Sequence, residues 1–372
     1  MNVHEAVIVS GCRLPVGKFG GSLSNFNAPE LGAIVVREAL KRANINGNQV
    51  DEVIMGTHFQ AGIKANSARQ CAIYARLPVE VPAWTPNNII VAGGCETMSR
   101  IPYIIHNHRF GVRIGHGELL DGMLYDGLID PFCNYHMGVT AENVAKKCEI
   151  TREMQDEFAY NSHMKAAKAR REGKFKNEII PVEVKKHKQT VIFDQDETIR
   201  EDTTIETLSK LKPAFKENGT VTAGNSSGIN DCAAAVVVMS KEKAEEMGKK
   251  PIAVFRGFSS AGVDPSIMGY APVPAINKLL KKTGVRKEDI DLFEINEAFA
   301  AQAAACVRDL GLDPEKVNVN GGAIALGHPV GCSGARLVVT VVNEMIRRNA
   351  KYAVVALCIG GGQGIASLIE RC

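Results

Sequence analysis

Tryptophan is almost absent from this chain, with Trp84 standing alone among 372 residues, and no two of its cysteines are spaced as CxxC. The ten cysteines (12, 71, 95, 133, 148, 232, 306, 332, 358 and 372) also form no cluster at zinc-ligand spacing, so no metal site is expected. The pair His106 and His108 lacks further ligands at usable spacing and reads as a solvated loop. Long apolar runs are missing as well. The longest, Ala233–Met239, is far too short to span a bilayer, and residues 1–6 show no basic stretch leading into an apolar one. Neither sign of charge dominates: Lys+Arg 44 against Asp+Glu 41 leaves +3, too little for a nucleic-acid footprint. No P-loop pattern occurs, and the glycines from Gly360 to Gly364 break the dinucleotide pattern at Ile365. What remains is a chain with no nucleic-acid or membrane partner and reduced thiols, expected in the cytoplasm.

What the chain does contain is an internal repeat. Helical spacing at Leu31, Ile34, Val35, Ala39 and Leu40 leads to Asn46-Gly47 and a strand at Glu52–Met55. A second copy runs through Ile276, Leu279 and Leu280 to Gly284 and a strand at Asp291–Ile295, at a constant offset of 240. Helices alternating with short apolar runs predict βαβ units and largely parallel, buried sheets. Two related α/β halves are expected, 1–246 and 250–372. About 99–221 differs, being richer in charge, with Lys185-Lys186-His187-Lys188 read as a solvated face. It holds one amphipathic helix, about Thr151–Gly173, and reads as an insertion in the first half.

The halves are unequal. From Asn296 to Gly360 the second covers 64 positions, whereas the matching Gly56 to Gly93 covers 37. The second fills this interval with a glycine-rich turn, a mostly apolar helix and a buried strand; the first has only "VPAWTPNNIIVAGG". The first half therefore reads as lacking one turn-plus-helix unit.

Ligand sites of open α/β sheets lie beyond the carboxyl ends of strands. Three segments fall there in the second half: Asn296–Phe299, Gly327–Gly331 and Cys358–Gly362. They bring an amide, an imidazole and a thiol to neighbouring loops. A cysteine with a histidine can act as nucleophile or base, and an asparagine with a histidine can hold an oxyanion.

The motifs "VIVSGCRLPVGKFGG", "YHMGVTAENVA", "GTVTAGNSSGIND", "NEAFAA", "GGAIALGHPVG" and "CIGGGQG" resemble the thiolase family, of the acetyl-CoA acetyltransferase type, over essentially the whole chain. The resemblance implies a five-layered α-β-α-β-α duplication with an inserted loop domain, assembled as homodimers or homotetramers. It implies condensation of two acetyl-CoA to acetoacetyl-CoA and CoA, or the reverse thiolysis, through an acyl-cysteine, with no cofactor besides the coenzyme A thioester substrates. His328 would activate the nucleophile and hold the thioester oxygen, and Asn296 would orient a water there. Cys358 would remove the α-proton, and the Gly360 backbone would support the acyl-enzyme oxygen. His136, Met137, Arg200, Phe215, Ala223 and Ser227 would line the coenzyme A channel.

One departure coincides with the unequal repeat. The family's nucleophile sits on a Cys-Gly-Ser-Gly turn that should lie between Trp84 and Ile89, and the sequence has none there. Cys71, Cys95 and Cys332 lack that setting and are poor substitutes. A non-catalytic acyl-CoA-binding relative is the alternative. A ketoacyl-synthase type is disfavoured, because Cys358 stands where its second histidine would be.

Overall fold

The computed structural model describes residues 5–83, 89–106, 108–111, 114–186 and 189–372. The expected nucleophile turn, at 84–88, lies outside them, as do His187 and Lys188 of the basic tetrad. The first half contributes β1 (Ala6–Arg13), β2 (Gly17–Lys18), α1 (Ala28–Ala43), β3 (Glu52–Gly56), α2 (Ser67–Tyr74) and β4 (Ile89–Thr97). Next come β5 (Tyr103–Ile105), β6 (Leu119–Asp121), α3 (Met137–Lys147), α4 (Arg152–Arg171), β7 (Val182–Lys186), β8 (Gln189–Phe193) and α5 (Ile205–Ser209). The chain returns through β9 (Asn230–Ser240) and α6 (Lys241–Glu246). The second half runs β10 (Ala253–Gly262), α7 (Pro272–Thr283), β11 (Leu292–Ile295), α8 (Ala300–Asp309), α9 (Ala323–Leu326), α10 (Val330–Arg348), β12 (Tyr352–Ile359) and β13 (Gln363–Arg371).

The helices end where the sequence supplies caps. Asn44 and Gly284, both left-handed, close α1 and α7 at matching places in the repeat. Thr151 caps α4 by accepting the Met154 N–H.

One sheet takes the order β11-β12-β13-β10-β1-β9-β4-β3, with β2 beside β9. This order is palindromic in the repeat: β11, β12, β13 and β10 mirror β3, β4, β9 and β1. Here the expectation of largely parallel sheets is corrected, since only β3–β4 and β11–β12 are parallel. Each half makes one βαβ crossover through α1 or α7, from β1 to β3 or from β10 to β11, and then a second between adjacent strands, from β3 to β4 or from β11 to β12. After the second, the chain re-enters antiparallel, by a three-residue turn between β12 and β13 and by the long insertion between β4 and β9.

Helix α10 packs against β4 and β9 on one side and against β11 and β12 on the other. Outside it lie the two half-sheets, covered by α1 with α2 and by α7, giving five layers. Among the described residues α10 is the long helix of the central layer. Leu337, Val339, Val341, Val342 and Met345 are all buried there, as a helix facing two sheets requires.

The position of the insertion matters for the site. It replaces, in the first half, the short β12–β13 turn of the second. Both therefore lie at the carboxyl ends of strands, and the insertion folds over the second half's loops: Met137 Cε lies 3.0 Å from where a Cβ on Gly360 would be.

Candidate active site

Strands β11 and β12 run side by side in parallel, Ile295 opposite Ala356, and deliver Asn296 and Cys358 to the same end of the sheet. The Asn296 N–H donates to the Ala356 carbonyl at 2.9 Å, extending the ladder by one residue and fixing where its side chain begins. His328 arrives from the turn between α9 and α10. Its Nε2 lies 3.2 Å from Asn296 Nδ2, and its Nδ1 lies 2.6 Å from Ser333 Oγ in the first turn of α10. Its own N–H donates to Asn230 Oδ1 at 3.0 Å. Asn230 is fully buried and donates in turn to the Gly17 carbonyl at 3.1 Å. Gly327, with φ +99°, has no room for a side chain, because a Cβ there would come 2.5 Å from the Asn230 amide.

The electrostatics keep the imidazole neutral. Burial, followed by the Arg336 and His58 charges, pushes His328 down to about 4. Burial alone raises the Cys358 thiol to about 11. As a thiolate it would be a strong base, with its charge held in apolar surroundings beside Met137, Ala298 and Phe299.

A second group of expected residues gathers next to Cys358. His136 caps α3, its Nδ1 accepting the Gly138 N–H at 2.9 Å, which leaves the proton on Nε2. Its ring stacks on Phe215 at 4.6 Å and 18°, and Phe215 meets Phe299 edge-on at 5.8 Å. The Ser227 N–H donates to the Ala298 carbonyl at 3.0 Å, which joins the 222–227 loop to the loop carrying Asn296. Ala223 is exposed nearby in sequence. Arg200 is held through its backbone, its N–H donating to His163 Nδ1 at 3.2 Å, and its side chain is exposed.

The other thiols are elsewhere. Cys71 and Cys95 are fully buried with their sulfurs 4.0 Å apart, and that contact raises Cys71 far above a free thiol. Cys332 opens α10 but is fully buried and also raised by burial. Neither Cys71 nor Cys332 is set up as an activated nucleophile. No group of His, Cys, Asp and Glu suited to a metal occurs among the described residues. No described helix is long and apolar enough to cross a membrane.

Sequence reasoning passed over three residues that shape the site: Ser333, Asn230 and Glu96. Asn230 lies in the "GIND" run and Ser333 five places beyond His328. Their partners become visible only once α10 and β9 are placed.

Family profiles match this chain as "Thiolase, N-terminal domain" at residues 6–89 and 85–242, and as "Thiolase, C-terminal domain" at 249–371. It is 51% identical to the acetyl-CoA acetyltransferase of Syntrophomonas wolfei, covering 99% of each chain. It is equally similar, 51% with 99% of each chain covered, to the acetyl-CoA acetyltransferase of Cupriavidus necator. The first alignment runs over 393 positions against 372 residues here, so at least 21 positions of that relative face no residue of this chain. Among solved structures, the Bacillus anthracis acetyl-CoA acetyltransferase superposes with a TM-score of 0.96 at 45% identity over 99% of each chain. Human mitochondrial 3-ketoacyl-CoA thiolase gives 0.96 at 41%, also over 99% of each.

Proposed function

This chain belongs to the thiolase family, and from that premise we propose that it is an acetyl-CoA C-acetyltransferase, condensing two acetyl-CoA to acetoacetyl-CoA and CoA or running the reverse thiolysis. The observation that carries this reading is the delivery of Asn296 and Cys358 by adjacent parallel strands, with His328 beside the amide. The Cys358 thiolate takes a proton from the acetyl methyl group, and the C–H electrons pass into an enolate. Polar groups of Asn296 and His328 meet the developing oxygen charge, where fixed donors stabilise most. The resemblance implies that the enolate carbon then attacks the carbonyl carbon of an acyl-cysteine and expels its thiolate, although the sequence holds no Cys-Gly-Ser-Gly turn to carry that acyl group. Gly360 offers its backbone beside that carbonyl. His136, Met137, Phe215, Ala223 and Ser227 line the approach for coenzyme A, and Arg200 meets its anionic nucleotide end.

We take 1–246 and 250–372 as the two halves, with 99–221 inserted in the first. The protein is proposed to act in the cytoplasm as a homodimer or homotetramer. The unequal repeat supports the reading that the first half lacks one turn-plus-helix unit.

That same feature favours a second reading, a non-catalytic acyl-CoA-binding protein, since the sequence holds no Cys-Gly-Ser-Gly turn. Two measurements on the full chain decide: thiolysis of acetoacetyl-CoA by CoA, and calorimetric titration with acetyl-CoA. Turnover supports the acetyltransferase. Binding without turnover supports the second reading. A folded protein showing neither overturns both.

A further inference from the structure

The proton inventory around His328 is not balanced. Ser333 Oγ lies 2.6 Å from His328 Nδ1 and 2.9 Å from the Pro329 carbonyl oxygen. A hydroxyl has one proton and can serve only one of these at a time. The Pro329 oxygen already accepts two backbone bonds, from Cys332 N–H and Ser333 N–H, both at 2.9 Å. A carbonyl oxygen has two lone pairs, so both are taken. The imidazole Nδ1 has Ser333 Oγ alone, at the shorter distance.

Asn296 bears on the same choice. Its Oδ1 is buried with no partner, while its Nδ2 faces His328 Nε2. Exchanging the two amide atoms leaves the shape of the side chain unchanged. After that exchange the imidazole Nε2–H donates to Oδ1, and the NH2 group occupies the unpartnered position. Either arrangement leaves one amide atom for the ligand. Only the N–H can meet the oxygen of a thioester.

We propose that Ser333 is a positioning residue for His328: its hydroxyl donates to Nδ1, and the neutral imidazole carries its proton on Nε2. In this arrangement Nε2–H donates to Asn296 Oδ1, and the Asn296 amide N–H is left as the donor directed at the substrate carbonyl. The hydroxyl proton, directed to Nδ1 at 2.6 Å in preference to the Pro329 carbonyl at 2.9 Å, is what places the ring proton. The catalytic consequence rests on the acetyltransferase reading; the location of the proton does not.

The test is a long-range 1H–15N spectrum of the full chain labelled at histidine, with the His328 signals assigned by their loss in His328→Gln. The expected wild-type pattern is a protonated Nε2 and an unprotonated Nδ1. The reverse pattern in the wild type overturns the proposal. Ser333→Ala is expected to move the unprotonated signal toward Nε2, and Ser333→Thr, which keeps the hydroxyl, to retain the wild-type pattern. A wild-type pattern in a folded Ser333→Ala overturns it too. If Ser333→Ala fails to fold, the wild-type spectrum still decides. In deuterium exchange at the α-carbon of acetyl-CoA, Ser333→Ala should lower kcat by about tenfold or more with KM little changed, and Ser333→Thr should restore it. The expected spectrum in a protein that binds no acetyl-CoA would leave the proton assignment standing and remove the acetyltransferase reading.

Discussion

The Glu96 carboxylate accepts the backbone N–H of Gly331 at 2.8 Å, so the end of β4 in the first half holds the first turn of α10 in the second. The same oxygen accepts the His58 N–H at 3.0 Å, and its neighbour takes the Phe59 N–H at 3.4 Å. Three segments are thus joined at one buried side chain, and one of them meets it at Gly331, three residues after His328. The backbones are equally close: a Cβ on Gly94 would collide with the Gly331 carbonyl.

Burial pushes Glu96 up to about 7 from 4.5, and its three backbone donors only partly oppose this. Between those values the folded chain holds more protons at this site than the unfolded chain. Stability from this group is therefore full at acid pH and is lost as pH rises through about 7. The loss amounts to about 3 kcal/mol at this site. Urea unfolding between about pH 5 and about pH 8 should show a falling midpoint in the wild type and a flatter profile in Glu96→Gln. Parallel profiles would assign the effect to other groups.

The pH profile of α-proton exchange follows from the other two shifts. His328, held near 4, stays neutral over the working range, so no acid limb near 6.5 should appear in kcat/KM. Its depressed value also means that its contribution to stability is lost as pH falls from 6.5 through 4, opposite in sign to Glu96. Cys358, raised to about 11, should make kcat/KM climb with unit slope across the neutral range. Deuterium wash-in into acetyl-CoA, followed by mass spectrometry, reads this directly. Exchange persisting in Cys358→Ala would remove that thiol from the role of base.

Gly327 permits a coupled test. Gly327→Ala forces a positive φ on a side-chain residue and drives its Cβ into Asn230. The expected cost is about 1–3 kcal/mol for the backbone alone, measured by urea unfolding. Adding Asn230→Ala should recover stability by removing the clash. It should not recover α-proton exchange, because the His328 N–H then loses its acceptor. Recovery of both would show that Asn230 has no part in holding the imidazole loop.

Much of this architecture was legible in the residues. The strand expected at Glu52–Met55 is Glu52–Gly56, and the one expected at Asp291–Ile295 is Leu292–Ile295. The first helix, expected to end near Asn46-Gly47, ends at Ala43 with Asn44 as its left-handed cap, at the place in the repeat where Gly284 closes α7. Helix α1 starts at Ala28, before the apolar spacing begins, because Asn27 and Glu30 form a capping box ahead of it. Strand direction was not legible. A strand buried on both faces, such as Asn230–Ser240, has the same apolar pattern whether its neighbours run parallel or antiparallel. Asn296, His328 and Cys358 could be placed near one another because strand ends are where sites lie. Ser333, Asn230 and Glu96 could not, since each acts through a partner far away in the chain or through a backbone N–H without a residue signature.

The last prediction concerns the central layer. Here α10 meets both half-sheets, and a cavity of about 190 Å³ opens beside it, lined by Ile8, Val9, Val339 and Val342 among others. The repeat assigns the first half a counterpart of α10 that should enter this layer, preceded by a turn matching the one that carries His328. Inserting a Cys-Gly-Ser-Gly turn and an amphipathic helix, about 27 residues in all, between Trp84 and Ile89 would supply it. Filling a layer in which, among the described residues, α10 packs chiefly against strands should stabilise the fold. Burying even one leucine there contributes about 2–5 kcal/mol by the converse of a cavity mutation. The variant should melt at a higher temperature and form an acetyl-cysteine on the inserted turn, detected by acid-quenched mass spectrometry after mixing with acetyl-CoA. Equal melting temperatures, together with acetylation of the starting chain at another cysteine, would show that the halves are complete as they stand.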